Sequence, residues 1–317
     1  METVWVAGGA GFIGSHLCKH LLDRSYRVIC IDNFITSDKQ NISSLLENPN
    51  FQFVEADICS LAAKDIPQPN YIFHMASPAS PNAKSARSYI AYPLETLMVN
   101  SQGTHVLLEI ARQTRARILF ASTSEVYGDP AVSPQPESYW GNVNPNGVRS
   151  VYDEAKRFGE AIMMAYVRKY HIDGRIVRIF NTYGPNMQVD DGRVVSNLIN
   201  QALKNEPLSV YGDGNQTRSF CYVSDLVDGL VAFMFGENLA GEVINLGNPN
   251  EKKIAEFATI VKDLTKTNSE IVFEPLPQDD PKKRCPDITK AKKLLHWEPK
   301  ISLEEGLKKT IEYFKSL

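Results

Sequence analysis

The first fourteen residues limit most strongly what this chain can become. Thr3-Val4-Trp5-Val6-Ala7 reads as a short buried strand that runs directly into Gly8-Gly9-Ala10-Gly11-Phe12-Ile13-Gly14. Glycines at this spacing allow a tight turn, close approach of backbone to a pyrophosphate, and close packing of the next helix on the strand. The free N–H groups at that helix's start then face the phosphates. Glycine-rich turns also serve purely structural ends, so the context carries the argument. A helical pattern follows (Ile13, Leu17, Leu21, Leu22), and the next strand, Arg27-Val28-Ile29-Cys30-Ile31-Asp32, ends in an acid. Asp32 lies about twenty residues on, where a carboxylate binds both ribose hydroxyls and repels a 2′-phosphate, which favours NAD over NADP.

A chain of 317 residues is long enough for a doubly wound domain plus a smaller second lobe. Hydrophobic content of 43%, charged content of 22% and a net charge of −3 are those of an ordinary soluble protein. The basic clusters, Lys282-Lys283-Arg284 and Lys290 with Lys292-Lys293, read for the most part as solvated surface, so no nucleic-acid partner is expected. The five cysteines (Cys18, Cys30, Cys59, Cys221, Cys285) are scattered and contain no C-x-x-C pair, which suits a reducing cytoplasm and predicts no disulfide framework. The start has no signal-peptide pattern, and the longest apolar run, Leu230 to Phe235, is far too short to span a bilayer, so no membrane association is expected. No histidine set has metal-ligand spacing; His16 and His20 read as surface residues, and no metal is expected.

Along the first half, strand and helix alternate. Further strands are expected at Phe51-Gln52-Phe53-Val54, Tyr71 to Met75, Arg117 to Ala121 and Arg175 to Ile179, with helices over 93–115 and 151–171. That alternation predicts an α/β fold of Rossmann type, a doubly wound parallel sheet with ligands at the strands' carboxyl ends. Asp57 then falls at a strand end, where an acid can bind adenine or merely be solvated. The Pro-, Gly- and Asn-rich stretch from Pro130 to Ser150 reads as a long functional loop. Beyond about residue 182 short strands and helices separated by turns take over, which divides the chain into 1–182, carrying cofactor and chemistry, and a smaller substrate lobe, 183–317, with some crossing between them.

Tyr152 and Lys156 stand four apart at a helix start and so share one face. Of thirteen tyrosines, only Tyr152 has a lysine at that offset. A free phenol ionises near pH 10, too high for a base at neutral pH. A neighbouring ammonium and a positive nicotinamide ring would favour the phenolate and bring it toward working pH. The strand at 117–121 delivers Ser122, Thr123, Ser124 and Glu125 into the same crevice, as a hydroxyl to share the substrate's proton and a carboxylate across from it.

These stretches, with Ser122 to Gly128, Tyr152-x-x-x-Lys156 and Asn181-Thr182-Tyr183-Gly184-Pro185, resemble the extended short-chain dehydrogenase/reductases that act on nucleotide sugars. Within them the chain is most similar to the UDP-glucuronate decarboxylases, through His74 to Pro81, Tyr139 to Pro145, Tyr152 to Arg157, Asp191 to Val195, Gln216 to Phe220 and Lys283 to Asp287. The resemblance implies that Tyr152, helped by Thr123, takes the proton of the sugar 4-hydroxyl while the 4-hydride passes to NAD. It implies that Lys156 holds the nicotinamide ribose, that the resulting 4-ketone allows the C6 carboxylate to leave as carbon dioxide, and that Ser124, Glu125 and Arg284 serve decarboxylation and sugar positioning. Hydride return gives UDP-xylose; failure to return it gives the 4-keto pentose. By the same resemblance Gly8, Gly11, Phe12, Ile13, Gly14, Asp32, Asn33, Asp57, Ile58, Ala76, Asn100 and Ser122 contact the cofactor. Asn181, Arg193, Val195, Tyr211, Arg218 and Arg284 contact the UDP-sugar, with Arg218 suited to the pyrophosphate and Tyr211 to the base. A homodimer pairing helices 93–115 and 151–171 is also implied.

Three departures bear on the substrate. Asn186 stands where such proteins usually carry Arg after Gly-Pro, which removes a cation that could hold a carboxylated sugar. The loop Asn82 to Tyr92 is longer than usual and differs in composition. Ser37 to Asn41 replaces a commoner Gly-x-Lys/Arg-Arg-Asn near the adenosine. A sugar 4,6-dehydratase or an epimerase, on a UDP-N-acetyl amino sugar for example, shares the first oxidation. Dehydratases, however, carry Asp before the Glu as general acid, and a serine at 124 is unsuited to that. A non-catalytic NAD-binding regulatory protein is the alternative of another class, and retention of both Tyr152 and Lys156 argues against it.

Overall fold

The computed structural model describes residues 1–82, 85–276 and 283–317. Ala83 and Lys84 of the 82–92 loop, and Lys282 of the basic cluster, lie outside the described residues.

All five residues of the first strand, β1 (Thr3–Ala7), are buried, as expected of a strand covered on both faces in a parallel sheet. Its period-two alternation sends Val4 and Val6 to one core and Trp5 and Ala7 to the other. With β2 (Arg27–Asp32), β3 (Phe51–Glu55), β4 (Tyr71–His74), β5 (Arg117–Thr123), β6 (Gly174–Ile179) and the strand Val243–Leu246 it forms a seven-stranded parallel sheet. The order is Val243–Leu246, β6, β5, β4, β1, β2, β3, so the chain reverses direction across the sheet between β1 and β4. Ligands of open α/β sheets bind at such a switch point.

Helix α1 (Phe12–Asp23) leaves the glycine turn and packs Leu17, Leu21 and Leu22 on the Val4/Val6 face. On the other face, the segment expected as one helix over 93–115 is α2 (Pro93–Met98), a wide π turn over Val99–Gly103, and α3 (Thr104–Thr114). Helix α4 (Ser150–Tyr170) packs beside them. Gly159 sets how close α4 comes to β5, since a Cβ there would stand 2.3 Å from the ring of Phe120. Between β2 and β3 a 3-10 helix spans Lys39–Leu45.

After residue 182 come α5 (Val194–Leu203), α6 (Val223–Phe235) and small sheets built from Leu208–Tyr211, Thr217–Ser219, Glu251–Lys253, Ile271–Glu274 and Lys283–Arg284. The chain crosses back, because Val243–Leu246 pairs with β6 as the seventh strand of the central sheet. His16 and His20 are half-buried rather than surface residues: a ring nitrogen of His16 is hydrogen-bonded to the Pro185 carbonyl, and His20 faces Asp228.

Candidate active site

The carboxyl ends of β1, β4, β5 and β6 open into a cavity of about 630 Å³ that runs from the glycine turn to Arg218 and Tyr211. Its floor is the turn itself. A Cβ at Gly14 would stand 2.1 Å from the Gly8 carbonyl oxygen, so the helix start lies against the turn with space for backbone alone. Asp32, 8% exposed, accepts from the Ala10 N–H at 3.0 Å and the Ser37 hydroxyl at 2.7 Å, which fixes the acid beside the turn. A glycine cradle followed by a fixed carboxylate at the end of β2 fits a dinucleotide with free ribose hydroxyls.

Gly8, Gly11, Phe12, Ile13, Gly14 and Ser122 line this cavity. Asp32, Asn33, Asp57, Ile58, Ala76 and Asn100 do not. Ala76 lies over Gly8, and Ile58 is buried behind the sheet end. Asn33 and Asp57 are exposed and cap the backbone N–H groups of Ile35 and Cys59. Asn100 is fully buried in the π turn, donates to the Ser77 hydroxyl, and leaves its Oδ1 without a hydrogen-bond partner among the described residues.

At the chemical end, α4 presents Tyr152 and Lys156, both buried, to the end of β5. The Lys156 ammonium donates to the Ala121 carbonyl at 2.8 Å and stands 5.8 Å from the Tyr152 ring centre. Burial pushes Lys156 down to about 7. Burial and then the Glu125 charge push the Tyr152 phenol up to about 12, against Arg193 and Thr123, which pull it down. The lowered phenol expected from the Tyr/Lys spacing is therefore not a property of the protein alone. At this depth desolvation outweighs a lysine whose own charge is compromised.

Glu125 sits in the 3-10 turn Ser124–Tyr127 that follows β5. Its carboxylate is gripped by Arg149 and Arg284, so although burial pushes it up, the two guanidiniums hold it well below the usual carboxylate range. Arg284 reaches it from the short strand Lys283–Arg284, which pairs with Thr217–Ser219 and so places Arg284 opposite Arg218 in register. Asn181, Arg193, Val195, Tyr211 and Arg218 all line the cavity. Arg193 pairs with Asp191 and donates to the Ala79 carbonyl.

Three contributors had no sequence signal. Arg149 is one arginine in a Pro- and Asn-rich loop until α4 brings it against Glu125. Tyr89, from the 82–92 loop, stacks on Tyr152 with ring centres 5.0 Å apart, and its buried hydroxyl has no partner among the described residues. Asp153, 5% exposed, does not line the cavity but lies behind Glu125. Burial and then the Glu125 charge push it up to about 8, toward the protonated form.

A folded pKa raised above that of a free aspartate favours folding below about pH 4 and loses that contribution as pH rises through about 8. Asp153→Asn keeps the shape without the titration. Its melting temperature is expected to vary less between pH 5 and 9 than the wild type's, and to exceed the wild type's at pH 9 by about 2–4 °C for each kcal/mol of penalty removed. Parallel pH profiles of the two proteins in thermal unfolding would disprove the assignment.

Asn186, suspected from sequence as a lost specificity cation, turns away from the cavity: its amide donates to the Ser15 hydroxyl at 3.1 Å on α1.

Comparison with known proteins adds to this geometry. The family model described as GDP-mannose 4,6 dehydratase matches residues 5–310. The chain is 51% identical to UDP-glucuronic acid decarboxylase 2 of Arabidopsis thaliana, over 98% of this chain and 68% of that protein. It is 49% identical to UDP-glucuronic acid decarboxylase 1 of Xenopus tropicalis, over 99% and 72%. Among solved structures it is similar to UDP-glucuronic acid 4-epimerase from Bacillus cereus in complex with UDP-glucuronic acid and NAD, with a TM-score of 0.89, 31% identity and 99% of each chain covered.

Proposed function

The chain belongs to the GDP-mannose 4,6 dehydratase family of extended short-chain dehydrogenase/reductases, and from that premise we propose that it decarboxylates UDP-glucuronate to UDP-xylose with bound NAD. NAD held along the glycine turn supplies the reversible oxidation at the sugar C4 and a positive ring charge beside Tyr152. Tyr152 takes the 4-hydroxyl proton, with Thr123 sharing it, and Lys156 orients the ribose. Once C4 is a ketone, the C5–C6 bond breaks with loss of carbon dioxide, and the electron pair moves toward the C4 oxygen, where the Tyr152 and Thr123 hydroxyls stabilise the developing charge. Protonation at C5 and return of the hydride to C4 would then give UDP-xylose, so the net reaction consumes one proton and releases carbon dioxide.

One observation favours this over dehydration. The acids that line the cavity are Glu125 and Asp191, and both are ion-paired to arginines. Dehydration needs a carboxylic acid that gives its proton to a departing 6-hydroxyl. Asp153, whose burial favours the protonated form, lies outside the cavity wall. Incubating the purified protein with UDP-glucuronate should release carbon dioxide and UDP-xylose. UDP-galacturonate as sole product would make it an epimerase, and turnover confined to UDP-N-acetylglucosamine would sink the decarboxylase reading.

We keep the division near residue 182 as a functional one: the first part carries cofactor and proton transfer, the second the UDP, with Val243–Leu246 crossing back. A homodimer is part of the same proposal, supported by the apolar surface of Leu94, Leu97 and Met98 on α2 and Phe158 on α4, each more than a third exposed. Sedimentation of a Phe158→Asp variant as a dimer would refute that pairing. Among the described residues no helix is long and apolar enough to cross a membrane; a cytoplasmic location remains the proposal that suits the buried free cysteines.

A further inference from the structure

Five arginines line the cavity. Four are already engaged: Arg149 and Arg284 with Glu125, Arg193 with Asp191, and Arg218 with the Thr217 carbonyl. Arg87 differs. It is half-buried in the cavity wall, and its guanidinium makes no hydrogen bond or ion pair among the described residues.

Its position is set by the loop that carries it. The Tyr89 N–H donates to the Ser80 carbonyl at 3.1 Å, and the Ser85 hydroxyl donates to Asp190 at 3.3 Å. Ser80 in turn is hydrogen-bonded to the Asp191 carbonyl. The loop is thus tied to the 190–191 segment on one side, while Tyr89, two residues from Arg87, stacks on Tyr152 on the other. Arg87 therefore lines the cavity from the loop that also reaches Tyr152. Arg218 enters from the small sheet, in register beside Arg284.

We propose that Arg87 is a specificity-determining residue that binds the C6 carboxylate of the nucleotide sugar, supplying from the 82–92 loop the cation that Asn186 does not provide. The inference rests on the UDP-glucuronate reading of this site. A planar guanidinium suits bidentate binding of a carboxylate. Because the contact exists in the ground state and the carboxylate leaves in the reaction, it contributes to binding and does nothing to lower the barrier of the decarboxylation step.

The test is steady-state kinetics of the full chain loaded with NAD, comparing wild type, Arg87→Met and Arg87→Lys on UDP-glucuronate, with UDP-xylose as a competitive inhibitor that lacks the carboxylate. Loss of one charge-assisted contact should raise the KM of Arg87→Met by roughly ten- to a hundredfold. Its kcat should hold or rise, since the contact stabilises the state that must lose the carboxylate, UDP-xylose inhibition should be unchanged, and Arg87→Lys should recover part of the loss. An unchanged KM, or a parallel loss of UDP-xylose inhibition in both variants, overturns the proposal while wild-type decarboxylation leaves the proposed function standing. Wild type that fails to release carbon dioxide from UDP-glucuronate overturns both.

Discussion

Tyr152→Phe is expected to lower turnover of UDP-glucuronate by roughly 10²–10⁴-fold, the usual contribution of a positioned general base, while substrate affinity and folding change little. The phenyl ring keeps its stacking partner Tyr89 and its place in a buried site. What disappears is the hydroxyl beside Thr123. Its removal is informative because the surroundings oppose ionisation: burial and Glu125 push the phenol up to about 12, and burial pushes Lys156 down to about 7. Bound dinucleotide would add positive charge that favours loss of the proton, and without the phenol the first step should be blocked in this variant. Single-turnover measurement of nicotinamide reduction reads that step directly. Reduction within about threefold of the wild-type rate would assign the base to another group.

What was legible in the chain was whatever is written in local pattern. The β1 strand, the glycine turn and Asp32 are contiguous or nearly so, and their roles follow from backbone sterics and strand periodicity. Tyr152 and Lys156 are one helical turn apart, so their pairing is local too. Arg149, Tyr89 and Arg87 were not legible because each depends on where a loop ends up. Arg149 gains meaning only against Glu125, which precedes it by a strand end and a long loop. Tyr89 gains it by stacking on a residue from a different element. The weight placed on Asn186 had the same origin: the sequence shows which side chain is present but not that it turns toward Ser15. The seventh strand, Val243–Leu246, was missed because its partner β6 lies more than sixty residues earlier and nothing local distinguishes it from a strand of the smaller lobe.

Glu125→Gln should separate the electrostatics of the site from its fold. The wild-type carboxylate pairs with both Arg149 and Arg284, whose side chains are only 15% and 5% exposed. An amide removes the charge that both guanidiniums face there, and breaking a buried pair in this way costs about 3–5 kcal/mol when nothing compensates. Here an anionic substrate compensates. The melting temperature of the variant should fall by several degrees in the free protein and recover in UDP-glucuronate, because a ligand that binds the folded state stabilises it by mass action. The kinetic sign follows from the same charges. With Glu125 gone, two more cations compete for the substrate's carboxylate, so KM should fall or hold. Gripping that carboxylate more tightly stabilises the state that must lose it, so kcat should drop by roughly ten- to a hundredfold. Arg87→Met removes an attraction and is expected to move KM the other way without lowering kcat. Opposite movements of KM in the two variants would mean that the wild-type site balances the attraction of Arg87 against two cations restrained by Glu125. A raised KM with unchanged kcat in Glu125→Gln would instead make Glu125 a sugar-binding group and leave carbon dioxide loss to other residues.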